Sequence, residues 1–581
     1  MSLVYCLLVL AVPANAYGPP SWVEQSNDNA RILLDVMAQF NPEAAGQLGV
    51  DGYDEAIIDL RAGVQERSRE AVKKAIDQLR MRRVGEHDPP VLQDLEILMK
   101  TAEDNIRGDE LYSAYQLPYY NLPRIVFSGI RALLDDQIPA ERHAAALVRL
   151  RRYAGTIEGE TPVATLAQER ILEKLSDTSL KGPIRAEVEK DLSDMDFFIN
   201  GIASLFDKYK VGGYEDAYTA LQEQMKGYAD FIRAQVLPRA TDDFRLPPDL
   251  YAFNLEQYGV ELPPEQLAER ARTAFGDIQK QMQEIAVVVA KEQGLNVTDY
   301  RDVIRELKKD QLVGDAILAL YEERIEDLEK IIARERLVSL PGRKMAIRLA
   351  SEAESAAIPA PNMRPPRLVG NTGEIGEFVL PLRVPGKEGD EKTFDDFTFV
   401  AASWTLTAHE GRPGHELQFT SMVEKGVSTA RVIFAFNSVN VEGWGLYSEA
   451  IMFPFLPAEG KLIALQHRLV RAARAFLDPE LQMGKITTEE ADRVLRDEVV
   501  LSHAMANQEI ERYTFRAPGQ ATSYFYGFIK LMELRADVEK SLGSRFNQLE
   551  FHDFILSQGL LPPELMRSAV YTHFGIEGKK M

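Results

Sequence analysis

The sequence of 581 residues is 45% hydrophobic and 27% charged, so the chain can bury a large core without disulfides or other cross-links. Its 89 Asp and Glu residues outnumber 67 Lys and Arg residues and give a formal net charge of -22. Because an acidic surface repels phosphate backbones, we expect no nucleic-acid partner.

The N-terminus has the features of a secretory signal. An apolar run ends in the small residues Ala14-Asn15-Ala16, so residues 1–16 are predicted to be a signal peptide of an exported protein, periplasmic or secreted. The run is too short to span a bilayer, and the alternative is a buried N-terminal helix. The single cysteine, Cys6, lies within it, which excludes disulfides and Cys-ligated metals from the mature chain. A lipid anchor on Cys6 fits poorly, because bulky Tyr5 precedes it.

The following region, residues 17–357, is predicted to be helical. Apolar residues recur at steps of three and four from about residue 27, as in residues 267–286, and paired prolines mark helix boundaries near residues 247 and 263. Residues 358–581 are predicted to hold the chemistry and to form one continuous catalytic body with the preceding helices. Within them, residues 487–490 predict a capping-box start of another helix.

Residues 358–392 are rich in Pro and Gly and contain the best strand candidate, residues 375–385. Pro381 in its middle predicts an edge strand, because proline cannot donate a hydrogen bond to a neighbouring strand. Such a strand could hold an extended peptide by strand addition, and the alternative is a surface hairpin. The predicted fold is therefore mainly α, a large helical body with a small β-hairpin or edge sheet near residues 364–385.

Two of the eight histidines, His409 and His415, flank a candidate metal motif with Glu410. In the common pattern H-E-x-x-H the histidines are four residues apart and share one helix face. A separation of six places them about 120° apart on a straight helix, so the helix must be broken for both to bind one ion. Pro413 and Gly414 can break it, because Pro413 lacks an N–H and Gly414 permits backbone angles closed to other residues.

The carboxylate of Glu442, on a predicted helix about thirty residues downstream, suits a third ligand position beside two imidazoles. The alternative interpretation of His409 and His415 is that they are ordinary polar residues at helix ends. Glu449 shares the helix face of Glu442 and could orient a ligand, although a solvated helix charge is our preferred interpretation for it.

These motifs resemble those of the bacterial family known as domain of unknown function 885, grouped by its motif with gluzincin-type metallopeptidases. The resemblance rests on residues 41–49, 409–418, 442–447, 512–513, 518–524 and 534–535. It implies a mainly helical, zincin-like fold. Relatives often carry a second histidine where this chain has Glu416, and we interpret that histidine as dispensable, because two imidazoles, one carboxylate and a water complete a tetrahedral zinc.

The resulting hypothesis is a zinc-dependent hydrolase that cleaves a peptide or another small amide. Zn²⁺ held by His409, His415 and Glu442 would leave a position for water, and Glu410 would act as the general base. Candidates for stabilising the oxyanion are Tyr524, ranked first, Tyr526, Arg512 and His503. Arg512 could instead bind a substrate carboxylate. Two alternatives stay open: a hydrolase of a non-peptide amide or ester, and a non-catalytic exported binding protein that keeps the fold.

Overall fold

A computed structural model describes residues 21–312, 315–351, 354–355, 358, 360–380 and 395–577 of the chain. The predicted signal peptide with Cys6 lies outside the described residues, as does Pro381. The structure is about 70% helical, and the residues that it describes contain one small sheet, which confirms the mainly α fold predicted from the sequence. Among the helices that the structure describes, none is long and apolar enough to cross a membrane.

The helices before the sheet follow one another in the region predicted to be helical. They are α1 (Ser21–Phe40), α2 (Pro42–Leu48), α3 (Val64–Arg83), α4 (Pro89–Tyr115), α5 (Leu122–Arg131), α6 (Ala140–Tyr153), α7 (Val163–Leu175), α8 (Arg185–Lys208), α9 (Glu215–Phe231), α10 (Pro248–Tyr258), α11 (Pro264–Gln293), α12 (Tyr300–Leu307) and α13 (Asp315–Glu335). The paired prolines begin α10 and α11, where the missing N–H of a first-turn proline costs no hydrogen bond.

The helices after the sheet carry the candidate site. They are α14 (Val400–Glu410), α15 (His415–Lys425), α16 (Ser438–Met452), α17 (Ala458–Gln482), α18 (Thr488–Arg493), α19 (His503–Glu511), α20 (Thr522–Leu542), α21 (Gln548–Ser557) and α22 (Pro563–His573). Four π-helical turns interrupt the described helical segments, at Ile232–Val236, Ala430–Phe434, Val494–Glu498 and Arg512–Arg516. The predicted capping box is confirmed: the Thr487 side chain accepts from the backbone of Glu490, and the Glu490 side chain accepts from the backbone of Thr487.

The sheet has three strands, β1 (Ala346–Leu349), β2 (Asn362–Arg364) and β3 (Glu377–Leu380). The strand order is β1-β3-β2, with β3 parallel to β1 and antiparallel to β2. The strand predicted from the sequence is therefore the central one, and its assignment as an edge strand is wrong. The physical reason is that both neighbours pair with Glu377–Leu380, a stretch without proline in which every residue has an N–H, whereas Pro381 lies outside the described residues.

Helix α17 is the central element of the larger core. It packs against α11, α14 and α20, and nearly every residue from Leu462 to Gln482 is buried. A helix that is buried on all sides places its polar side chains in the interior together with its apolar ones. Helix α16 packs along α20 and against α14, so three helices with candidate site residues meet beside α17.

Candidate metal centre

The helix that carries His409 is broken where the sequence predicts a break. Helix α14 ends at Glu410, and α15 begins at His415 after a short turn. The two imidazole rings consequently lie together, with 4.6 Å between ring centroids and 83° between ring planes. The two halves of the motif thus meet despite their six-residue separation.

Close contacts hold the turn between the two helices. Gly414 has a φ of -76° and a ψ of -135°, a combination outside the helical and extended regions open to other residues. It is required for space, because a Cβ at this position would lie 1.8 Å from the carbonyl oxygen of His409. The carbonyl of Pro413 accepts hydrogen bonds from Trp444 Nε1 at 2.9 Å and from the Ser448 hydroxyl at 3.2 Å, which ties the turn to α16.

Glu442 adds a carboxylate to the two imidazoles of the candidate site. Its helix, α16, is capped by Asn437, whose side chain accepts a hydrogen bond from the backbone of Asn440. Glu442 Oε2 then lies 3.5 Å from His409 Nε2 and 3.3 Å from His415 Nε2.

These distances fit a metal ion better than they fit hydrogen bonds. Two atoms each about 2.1 Å from a tetrahedral Zn²⁺ are about 3.4 Å apart, close to both separations from Glu442 Oε2. That oxygen is buried and has no hydrogen-bond partner among the described residues. An orphaned carboxylate oxygen at this spacing from two imidazole nitrogens is what a cation site requires, so the donor set fits zinc.

Glu449 contacts the Nδ1 side of the His409 ring. Its Oε1 lies 2.7 Å from His409 Nδ1, and its Oε2 accepts a 2.6 Å hydrogen bond from the Thr405 hydroxyl. Glu449 is only 3% exposed, so the interpretation as a solvated helix charge is wrong. A carboxylate on Nδ1 fixes the orientation of the ring and turns Nε2 toward Glu442 and His415.

The electrostatics of His409 follow from these neighbours. Burial alone would lower its pKa, but the carboxylates of Glu442 and Glu449 outweigh burial and raise the pKa of His409 to about 9. Burial opposes ionisation of Glu449 as well, yet Arg471 and His409 bring the pKa of that carboxyl down to about 2.

Gly445 is required beside His409 for space, since a Cβ on Gly445 would lie 2.5 Å from the His409 ring.

Glu410 and His409 line a cavity of about 90 Å³. Burial raises the pKa of Glu410, although the two histidines act in the opposite direction. A carboxylate with a raised pKa beside two candidate ligands has the position and the basicity of a general base.

The cavity contains two of the four residues that the sequence suggested for stabilising an oxyanion. Tyr524 and Arg512 line it, and Arg512 Nη1 donates to the Tyr524 hydroxyl at 3.2 Å. Tyr526 instead donates to Glu261, and His503 is exposed beside Asn507 at the start of α19. The structure therefore brings Tyr524 and Arg512 to the candidate site and places Tyr526 and His503 away from it.

Glu416, the departure from the family pattern, takes no part in the ligand group. Its carboxylate accepts from Arg412 Nε at 2.7 Å and from the Thr420 hydroxyl at 2.7 Å. It is fully buried, and Arg412 beside it also donates to the carbonyl of Arg343. This acidic residue anchors the turn through Arg412.

The sequence interpretation missed four residues around the cavity. His467, Arg471 and Arg474 of α17 line it, and Glu509 of α19 forms a bidentate ion pair with Arg474. Arginines one turn apart on a helix normally indicate a solvated face. The signal that could have revealed them is the apolar residues on every side of α17, which predict that its charged residues are buried and paired.

Fold and site together define a mainly helical protein with a candidate His-His-Glu metal centre at a helix break. The model of the family "Bacterial protein of unknown function (DUF885)" matches residues 42–570, so the chain belongs to this family. No curated protein matches the sequence significantly.

Two solved structures share the fold. One, described as a "putative lipoprotein" from Colwellia psychrerythraea, has a TM-score of 0.75 at 18% identity and aligns over 96% of this chain and 100% of its own. Another, described as a "putative lipoprotein of unknown function" from Shewanella oneidensis, has a TM-score of 0.70 at 17% identity and aligns over 94% of this chain and 99% of its own. At these identities the likeness establishes the fold alone.

Proposed function

We propose that this protein is an exported zinc-dependent hydrolase of the gluzincin type that cleaves peptides. The observation that carries the proposal is the orphaned Oε2 of Glu442, which lies 3.3 Å and 3.5 Å from the Nε2 atoms of His415 and His409. A zinc ion held by these three side chains supplies a Lewis acid for the scissile carbonyl and lowers the pKa of water to roughly 7.

In this proposal, other side chains around the cavity have separate roles in catalysis. Glu410 accepts the proton of the attacking water and passes it to the leaving amine. The Tyr524 hydroxyl already accepts a hydrogen bond from Arg512, so its own proton is free to be donated to the oxyanion. Glu449 acts through His409 as a positioning residue. Export rests on the signal sequence of residues 1–16.

Zinc content tests the metal centre. We expect the chain from residue 17 onward, reconstituted with Zn²⁺ and dialysed, to retain one zinc per molecule by elemental analysis. His415→Ala should lose its zinc, because only two of the three proposed ligands remain. His503→Ala is the matched control, because His503 is exposed and away from the site, and it should keep its zinc. A wild-type protein without zinc after reconstitution would refute the proposal.

Substrate class needs a second measurement. The zinc-loaded protein should release fragments from a mixture of synthetic peptides, followed by mass spectrometry. The same ligands could activate water toward other carbonyl groups, so simple esters and non-peptide amides are assayed in parallel. Cleavage of these compounds without cleavage of peptides would support a hydrolase but would refute the proposal that it is a peptidase. Zinc binding with no hydrolysis of any substrate would favour a non-catalytic binding protein.

A further inference from the structure

The cavity that contains Glu410 is also lined by three arginines, of which Arg471 and Arg474 are buried and Arg512 is partly exposed. Arg471 and Arg474 come from one face of α17, and Arg512 comes from the π-helical turn that follows α19. We call these three residues the arginine cluster. Because α17 and the π-helical turn are separate chain segments, the cluster forms only in the folded protein.

Tyr524 places the arginine cluster next to the candidate metal ligands. The guanidinium carbon of Arg474 lies 4.4 Å from the centre of the Tyr524 ring, and those of Arg471 and Arg512 each lie 5.9 Å from it. The His409 ring is almost parallel to the Tyr524 ring, with 6.4 Å between centroids. A substrate of a few atoms can therefore reach the metal ligands and the cluster at the same time.

Among the described residues, two carboxylates lie within 4 Å of the three guanidinium groups of the cluster, and Glu410 lines the same cavity without such a contact. Glu509 pairs with Arg474 and lies 3.8 Å from Arg512, while Glu449, already engaged by His409, lies 3.6 Å from Arg471. Asp396 also lines the cavity, but it is paired with Lys308 and with the Ser502 hydroxyl. Three guanidinium groups thus share the carboxylates of Glu509 and Glu449, and Glu449 also contacts His409.

Hydrogen-bond donors of the cluster are also left over. Arg471 Nε and Arg474 Nη1 are buried and have no partner among the described residues, and both side chains are more than nine-tenths buried. Burying an unpaired guanidinium donor is costly, so a buried pair of them indicates a site that an anion completes. A carboxylate suits it, because guanidinium groups bind carboxylates through paired N–H donors.

Most of the remaining lining is apolar, although Gln466 and His467 also line the cavity. Leu406, Val470 and Met505 face the cavity, whose volume of about 90 Å³ holds roughly six to nine water-sized groups. This is room for one amino-acid residue with a small or medium apolar side chain, and not for a long stretch of peptide.

We propose that the arginine cluster binds the α-carboxylate of the last residue of a peptide, which makes the enzyme a carboxypeptidase with a preference for apolar C-terminal residues. This inference rests on the proposed peptidase function. In the reaction the last peptide C–N bond breaks, the water oxygen bonds to the carbonyl carbon, and the released proton goes to the leaving nitrogen. The products are a shortened peptide and one free amino acid.

Binding tests the cluster without hydrolysis. The probes are the tripeptide Ala-Ala-Leu and its C-terminal amide, titrated by calorimetry into zinc-loaded Glu410→Gln protein. We expect the acid to bind at least tenfold more tightly than the amide, because only the acid offers an anion to the cluster. Adding Arg471→Gln or Arg512→Gln should remove most of this preference and leave amide binding little changed.

The matched control is Arg468→Gln. Arg468 is another arginine of α17, but its guanidinium packs over Phe453 and Phe528 and does not line the cavity. This variant should keep the acid preference. Circular dichroism and thermal melting check that each variant is folded. Equal binding of acid and amide by the Glu410→Gln protein would overturn the inference, as would tighter binding of inorganic phosphate than of the peptide acid.

Kinetics separate this inference from the proposed function. The wild-type enzyme should release free leucine from Ala-Ala-Leu, with kcat/KM more than a hundredfold lower for the amide and little changed by N-terminal acetylation. Cleavage of acid and amide at equal rates would leave the peptidase standing and overturn the carboxylate site. If no zinc binds and nothing is cleaved, the proposed function fails, whereas an acid preference in binding would still support the cluster.

Discussion

The cavity joins two groups of charged residues with opposite needs. In the metal-ligand group, Glu410, Glu442 and Glu449 surround two imidazoles, and one carboxylate oxygen is left without a hydrogen bond. In the arginine cluster, three guanidinium groups exceed their carboxylate partners, and two donors are left over. In our proposals a cation completes one group and an anion completes the other, since buried charges are stable only when paired.

If the proposed function is correct, this difference would orient the substrate. A peptide with a free C-terminus carries a polarisable carbonyl and, one residue further on, a carboxylate. The carbonyl suits the metal-ligand group and the carboxylate suits the arginine cluster, so the pair of groups fixes direction as well as position.

The largest expected effect is on the general base. Glu410→Gln keeps the size of the side chain but cannot accept a proton, so we expect kcat for peptide hydrolysis to fall by about a thousandfold. Zinc content should not change, because the three proposed ligands are intact. Steady-state kinetics together with elemental analysis check both parts. Undiminished hydrolysis at full zinc content would remove Glu410 from its role.

The next effect concerns Glu509, which pairs with Arg474 of the arginine cluster. Burial by itself would raise the pKa of Glu509, but Arg474 and Arg512 hold it at about 2. A carboxyl with a lowered pKa stabilises the folded protein above its ordinary pKa of 4.5, and this contribution is lost as the pH falls toward 2. Glu509→Gln should therefore lower the free energy of unfolding by about 3 kcal/mol at pH 7, and the gap to wild type should narrow below pH 4.5.

Urea unfolding at pH 7, 5 and 4 measures this gap. Glu511→Gln is the control from the same helix, because Glu511 makes a partly exposed ion pair with Arg516 that contributes little. A gap that widened with acidity would show that Glu509 is not held ionised by the arginines.

A smaller effect is expected for Glu449, which contacts the proposed ligand His409. Glu449→Gln keeps a hydrogen-bonding side chain beside His409 Nδ1 but removes its charge, so zinc affinity should fall by about 10- to 100-fold. Thr405→Val removes only the hydroxyl that donates to Glu449, and its effect should be smaller. Competition against a chelator of known affinity gives both values. Unchanged affinity in Glu449→Gln would mean that the ring of His409 is oriented by packing alone.

The two groups also differ in how far the sequence predicts them. His409, His415 and Glu442 are residue types that bind metals, and Pro413 explains how two distant histidines can meet, so the site could be proposed without coordinates. Glu449 was assigned to the correct helix face, but its burial depends on contacts from Thr405 and Arg471 in other helices.

The arginine cluster could not be assembled in the same way. Arg471 and Arg512 are 41 positions apart, and nothing local to either residue indicates that they share a cavity. The sheet shows the same limit. The pairing of β1 with β3 joins residues about thirty positions apart, and only that pairing reveals β3 as a central strand. Local pattern predicts elements and short motifs, whereas contacts between distant segments decide burial and neighbours.

The smallest effect tests the turn that makes the metal-ligand group possible. Trp444 Nε1 and the Ser448 hydroxyl both donate to the carbonyl of Pro413, so either alone can satisfy it. Trp444→Phe and Ser448→Ala should each cost about 1 kcal/mol in the free energy of unfolding. The double variant should cost more than the sum, because it leaves a buried carbonyl without a donor. Strict additivity in urea unfolding would show that the two donors do not substitute for each other, and an unchanged free energy of unfolding in the double variant would show that these hydrogen bonds do not hold the turn.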